Sequence, residues 1–239
     1  MKHFRSNNLA LFLICLIMTC FVVVGCGKKG ADSEKVMSKT TEKAGQAVAG
    51  KAVETERPVP SSAPITEERV FYDFEYDLAG WEIPMWALGK SDYVAKDAKR
   101  VEGLASSGNG SLQIITDFSG GLWSAALIEI QQYLDLSKYR VISVDIYLPP
   151  EAPVGLKAKL ILTVGSNWKF VEMSRSVPLV PGKWTVVTAN VEPGSYDWKR
   201  VVPNEEFASD VRKVAVRIEA NRKPQYSGMI NIDNIRVGR

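Results

Sequence analysis

The sequence predicts an all-β domain, a sandwich or a barrel, over residues 69–239. Short stretches with alternating apolar and polar residues, or rich in β-branched and aromatic residues, recur at close spacing from residue 70 onward. Alternation with a period of two sends successive side chains to opposite faces of a strand. Turn formers separate these stretches, among them the run from Gly103 through Ser106, Ser107 and Gly108 to Gly110, then Ser119-Gly120-Gly121, Pro149-Pro150 with Pro153, and Val180-Pro181-Gly182. Such residues end strands and reverse the chain. No helical period of useful length competes with this pattern, and one domain is the economical count.

The predicted strands cover residues 70–76, 91–96, 111–116, 122–130, 140–148, 157–164, 168–175, 183–191, 211–219 and 228–237. The first is carried by Phe71, Tyr72 and Phe74. In the fifth, Ile142, Val144, Ile146 and Leu148 share one face and leave Ser143, Asp145 and Tyr147 on the other. In the sixth, Ala158, Leu160, Leu162 and Val164 turn one way, Lys157, Lys159 and Thr163 the other. Val214, Val216 and Ile218 likewise oppose Ala215, Arg217 and Glu219. In the last strand Ile230 and Ile232 alternate in one phase, Ile235 and Val237 in the opposite phase, with the slip at Asp233-Asn234. Either both faces are covered there or a β-bulge absorbs one residue. The polar faces together carry Asp145, Tyr147, Lys159, Arg217 and Glu219, a candidate ligand surface set against the plainer reading of a solvated sheet face.

Composition narrows the function classes. The 239 residues are 46% hydrophobic and 24% charged, with 30 basic against 27 acidic residues and a net charge of +3. That excess is too small to hold a phosphate backbone, so no nucleic acid is expected as a partner. Residues 1–25 carry Lys2 and Arg5 before an uncharged apolar run over 9–24, the layout of a secretory signal. Val23-Val24-Gly25-Cys26 resembles a bacterial lipobox, with Val23 where Leu is usual. The resemblance implies lipidation of Cys26, export, and attachment to a membrane through the lipid anchor; Gly27 after the cysteine is similar to the outer-membrane sorting pattern. An uncleaved membrane anchor is the alternative, because the run is about as long as the shortest spans.

His3, the only histidine, and all three cysteines, Cys15, Cys20 and Cys26, fall at or before residue 26. Cleavage before Cys26 would leave no imidazole and no free thiol. That excludes Ser-His-Asp and Cys-His catalysis, His or Cys zinc sites and disulfides. Residues 26–68 are poor in large apolar side chains and contain Pro58, Pro60 and Pro64, the composition of a tether that cannot offset its own ordering entropy.

Phe71-Tyr72-Asp73-Phe74-Glu75, Gly80-Trp81, Glu102-Gly103, Gly110-Ser111-Leu112, Leu134-Asp135-Leu136-Ser137, Val144-Asp145-Ile146-Tyr147, Pro181-Gly182-Lys183-Trp184 and Ile232-Asp233-Asn234-Ile235 follow one another in order. Together they resemble the galactose-binding-like jelly rolls among carbohydrate-binding modules, families eleven and twenty-seven in particular. The resemblance implies a jelly-roll β-sandwich, a polysaccharide ligand and a structural calcium (Ca2+) site. The matching side chains for the calcium are Glu75 and Asp233, with Asp73 as substitute for Glu75, and carbonyls over 102–105; hard oxygen ligands suit that ion. The alternative is that Asp233 only accepts hydrogen bonds from the turn.

Aromatic rings offer flat apolar platforms to sugar faces. Trp86, Trp123, Trp168 and Trp198 fall in or beside loops, whereas Trp81 and Trp184 fall in the fold signatures and read as core. Trp123 and Trp168, next to glycine-rich turns, are the preferred platforms beside Asp145, Tyr147, Lys159, Arg217 and Glu219. Non-catalytic polysaccharide binding is thus the first function class. An envelope structural or protein-interaction domain is the second. An enzyme is the third, with Asp145 and Glu219 the one conceivable carboxylate pair. The leader yields a direct test: labelled palmitate should enter the wild-type chain and be absent from Cys26→Ser, and equal incorporation would refute lipidation.

Overall fold

The computed structural model describes residues 58–239; the leader, Cys26 and residues 26–57 of the tether lie outside the described residues. Eleven strands follow in the order β1 (Glu68–Tyr72), β2 (Ala95–Glu102), β3 (Gly110–Phe118), β4 (Trp123–Leu134), β5 (Val141–Leu148), β6 (Lys157–Val164), β7 (Lys169–Glu172), β8 (Val177–Pro178), β9 (Lys183–Asn190), β10 (Val211–Asn221) and β11 (Tyr226–Gly238). The one described helix, α1 (Met85–Leu88), is a single turn between β1 and β2. All strand pairings are antiparallel, in two sheets. The first has the order β2-β3-β11-β5-β9, with β1 also on β11; the second has the order β4-β10-β6-β7, with β8 also on β6.

The predicted alternation decides what lies between the sheets. Ile142, Val144, Ile146 and Leu148 of β5 have no exposed surface, nor do Ala158, Leu160 and Leu162 of β6 or Val214, Val216 and Ile218 of β10. Burying one such Val, Leu or Ile side chain contributes about 1.5–3 kcal/mol. Trp81 closes one end of this core, edge-on to Tyr72 at 5.6 Å and to Phe74 at 6.3 Å between ring centres.

β11 sits centrally in the first sheet. β3 lies along its first half and β1 along its second, with β5 on the opposite edge. The slip at Asp233-Asn234 is a bulge: Asp233 faces Asp145 across the ladder, and the next paired residue, Arg236, faces Ser143. Asn234 takes φ of 53°, in the left-handed region that Asn tolerates better than most residues. The extra residue restores phase, so Ile230, Ile232, Ile235 and Val237 are all buried at 1% exposure or less. A second bulge, at Arg212, interrupts the pairing of β10 on both of its edges.

The N-terminal end of the described chain lies against the domain. The Arg140 guanidinium donates to the carbonyls of Ser61, Ala63 and Pro64, and the Thr66 N–H donates to the Arg239 carbonyl. A side chain at Gly194 would lie 1.8 Å from the Pro58 carbonyl, so this contact demands glycine.

The bulge generates an expectation. Asn234→Val, a β-branched side chain forced to positive φ, should lower unfolding free energy by about 2–3 kcal/mol in urea titrations, and Asn234→Gly by clearly less. Equal losses would show that the left-handed backbone is not the constraint.

Candidate functional site

The register of the second sheet lays out its outer face as a grid. β10 turns Lys213, Ala215, Arg217, Glu219 and Asn221 outward. They stand opposite Gln131, Glu129, Leu127, Ala125 and Trp123 of β4. On the other side Lys213, Ala215, Arg217 and Glu219 stand opposite Thr163, Ile161, Lys159 and Lys157 of β6, and β7 adds Glu172 and Phe170 beyond. Leu127, Ile161 and Ala215, each 3% exposed, form an apolar floor with Tyr93 packed on it. Tyr93 reaches this place because it forms a parallel bridge to Ala125, along the free edge of β4.

Aromatic rings stand on both margins of this face. On the β4 side Trp86 meets Tyr93 edge-on at 4.9 Å, and Tyr93 meets Trp123 at 6.1 Å. Lys90 Nζ lies over the Trp86 ring at 4.9 Å and the Arg217 guanidinium over Trp123 at 5.6 Å. On the β7 side stand Trp168 and Phe170. Trp168 ends the β6–β7 turn at φ of 54° and takes the Arg212 guanidinium over its ring at 5.2 Å, so the β10 bulge that frees Arg212 also braces the tryptophan. Trp86, Trp123, Trp168 and Phe170 remain 36–59% exposed. A cavity of about 300 Å³ lies between Trp86 and Trp168, over Leu127, Ile161 and Ala215.

Beside the apolar floor runs a row of paired charges. Arg217 bonds Glu172 at 2.5 Å and Glu219 at 3.1 Å. Lys199 reaches Glu172 at 2.7 Å, Lys159 reaches Glu219 at 3.7 Å, and the Ser176 hydroxyl donates to Glu219. Lys213 pairs with Glu129 at 2.6 Å. Burial raises the Glu172 pKa, but the hydrogen bond from Lys199 and the charge and hydrogen bond of Arg217 outweigh it and hold this carboxyl below its ordinary value.

Five of the seven residues predicted to bind sugar therefore share one face: Trp123, Lys159, Trp168, Arg217 and Glu219. Asp145 and Tyr147 do not. They point outward from β5, in the other sheet, because alternation assigns a side chain to a face of its own sheet and leaves open which sheet the strand joins. Tyr147 packs there against Trp184, 5.5 Å away, so Trp184 stands outside the core in which the sequence placed it. Trp198 is the converse, buried at 2% with its indole N–H on the Asn190 carbonyl. The prediction missed Tyr93, Glu129, Phe170, Glu172 and Lys213. Phe170 and Glu172 were accessible to it, since they alternate within a stretch read as a strand.

The residues expected to hold calcium have other partners. Asp233 Oδ2 accepts the N–H groups of Ser106 and Ser107, Oδ1 that of Asn234. Glu75 Oε1 accepts those of Asn109 and Gly110, and Asp73 accepts the Glu75 N–H. The Leu104 carbonyl accepts from the Ser111 hydroxyl. One loop, residues 103–110, thus turns amide protons toward both carboxylates. This is the hydrogen-bonded alternative for Asp233, and no group of three or more His, Cys, Asp or Glu side chains that could hold a metal occurs among the described residues. Instead the loop is pinned over the outer face of the first sheet. There Asp145 takes Ser106 Oγ and Asn234 Nδ2 on one oxygen and Arg236 on the other.

Asp233 has no exposed surface. Burial and the facing Asp145 outweigh its backbone hydrogen bonds and raise its pKa from 3.8 to about 6. Because the folded value lies above the unfolded one, this group's contribution to stability is complete below about pH 4 and is lost as pH rises through 6. Melting curves across pH 4–8 should show the wild type losing that advantage relative to Asp233→Asn between pH 4 and 7, and neither calcium nor chelator should shift the wild-type curve. A pH-independent difference, or stabilisation by calcium, would overturn this assignment.

No protein-family model and no curated protein matches this chain. Among solved structures, it is similar to a family 27 carbohydrate-binding module of Caldicellulosiruptor saccharolyticus in complex with mannohexaose. Identity is 19% over 72% of this chain and 97% of that one, with a TM-score of 0.50. It is also similar to a family 28 carbohydrate-binding module described as specific for non-crystalline cellulose, at 18% identity over 73% of this chain and 96% of that one, with a TM-score of 0.52. The domain has the jelly-roll β-sandwich fold of these modules, as the sequence motifs implied.

Proposed function

We propose that the outer face of the second sheet binds a polysaccharide without cleaving it, on an exported domain held at a membrane, the outer membrane by its sorting pattern, through lipidated Cys26. The observation that carries the reading is the pair of aromatic margins: Trp86 and Trp123 on one side, Trp168 and Phe170 on the other, part-exposed over a floor of small apolar side chains. Exposed tryptophans on opposite sides of a sheet face contribute nothing to the sandwich core, and their flat rings suit the C–H faces of sugars. The neighbouring carboxylates, ammonium groups and guanidinium supply acceptors and donors for hydroxyls. The two solved modules of like fold, one complexed with mannohexaose and one described as cellulose-specific, support the same reading.

The charges support binding without hydrolysis. A glycosidase needs a carboxylic acid that still holds its proton near neutral pH. Glu172 and Glu219 are both bonded to the same Arg217 nitrogen, and Glu172 is held below its ordinary value. Asp145 and Glu219 belong to different sheets and form no pair.

One observation favours a second reading, a protein-interaction surface. Met85 and Leu88 flank Trp86 on α1 and are 82% and 56% exposed, an apolar tip that suits a protein surface.

The two readings separate in native affinity electrophoresis with soluble mannans and β-glucans. Trp123→Ala and Trp168→Ala should each weaken retention about tenfold, roughly 1.4 kcal/mol, with melting changed by only a few degrees. Tyr147→Ala, on the other sheet, should leave retention unchanged. Loss of retention only in step with lost stability, or no wild-type retention on any glycan, would refute sugar binding at this face.

A further inference from the structure

Next to Trp123 the face ends in a hollow of about 430 Å³, walled by Trp123, Lys157, Ser176, Glu219, Asn221 and Lys223. The charges here are out of balance. Glu219 is engaged by Arg217, Lys159 and Ser176, and farther along the face Glu129 and Glu172 each have a cation of their own. Lys157 and Lys223 are exposed and form no ion pair among the described residues, although both line a hollow that contains a carboxylate.

The backbone holds the two lysines there. Lys157 opens β6, opposite Glu219. Lys223 lies in the β10–β11 turn, where Arg222 takes φ of 66° and Asn221 bridges to Lys223. That turn packs directly on the β5–β6 loop: a side chain at Gly155, whose φ is 116°, would lie 3.2 Å from Pro224 Cδ. The hollow is therefore a place where an aromatic ring and two unneutralised ammonium groups converge, with a hydroxyl and an amide beside them.

We propose that this end of the face receives a sugar bearing an anionic group, a carboxylate or a sulfate, so that the polysaccharide bound is an acidic one. The proposal rests on the glycan reading of the face. A neutral sugar leaves both ammonium groups without a counter-charge, whereas an anionic substituent stacked beside Trp123 meets them at the position where the face is locally positive.

The test is titration of the full chain with polygalacturonate, alginate and glucuronoxylan, each beside its carboxyl-reduced form, and with carrageenan beside its desulfated form. Mannan and β-glucan serve as neutral probes. At least one acidic polymer should bind about tenfold more tightly than its neutralised counterpart, and the advantage should shrink with added salt. The pair that shows it identifies carboxylate or sulfate. Lys157→Gln with Lys223→Gln should erase the difference while leaving the neutralised form bound, whereas Trp123→Ala should weaken both. Equal binding of acidic and neutralised forms, binding of neutral probes alone, or a difference that survives the double lysine substitution would overturn the proposal and leave the glycan reading standing. No binding to any polymer would overturn both.

Discussion

One extra residue in the closing strand holds the first sheet together. β11 has β5 on one edge and both β3 and β1 on the other, so its phase is shared by three neighbours. Without the bulge at Asp233-Asn234, Ile235 and Val237 would face outward and β1 would have no apolar strand end to cover. The bulge also has an electrostatic side. It leaves Asp233 opposite Asp145, like charges that repel when directly paired. Arg236 answers Asp145, while the backbone N–H groups of Ser106 and Ser107 answer Asp233. A loop of small residues thus does work that a counter-ion would do elsewhere, and it closes that side of the sandwich.

The opposite sheet shows a different economy. Arg217 and Lys159 are 8% and 7% exposed, so their charges are largely out of water and must be met within the face. Glu172 and Glu219 meet them, and the result is a rigid polar row beside an apolar floor. Side chains held by one another do not need to be ordered when a ligand arrives, which lowers the entropic cost of binding. The exposed rings at the margins are likewise braced, Trp168 by Arg212 and Trp86 by Lys90.

Much of the fold was legible because burial writes itself into alternation. The residues read as inward in β5, β6 and β10 are inward, and the phase slip in β11 was visible as a slip. β2 was poorly placed: residues 97–102, Asp-Ala-Lys-Arg-Val-Glu, are polar enough for an edge strand to leave little period. The site was legible only in part, for a reason of topology. Asp145 and Arg217 both alternate correctly, yet the pairing that sends β5 to one sheet and β10 to the other is a long-range fact absent from either strand. Tyr93 is hidden for a related reason, since a single parallel bridge to Ala125 has no sequence period. Glu75 and Asp233 were rightly tied to the glycine-rich loop, but residue type alone does not say whether a loop offers carbonyls or amide protons.

The Arg140 contacts bear on how the domain responds to mechanical load. β1 is an edge strand whose first residues pair with the last residues of β11, so a pull on Glu68 would peel its ladder one bond at a time, which requires little force. The chain from Ser61 to Pro64 is clasped upstream of that ladder by one guanidinium, itself paired with Glu192. Tension arriving from the N-terminal side is taken first by this clasp, several bonds loaded together rather than in series, and the unzipping of β1 begins only after it has let go.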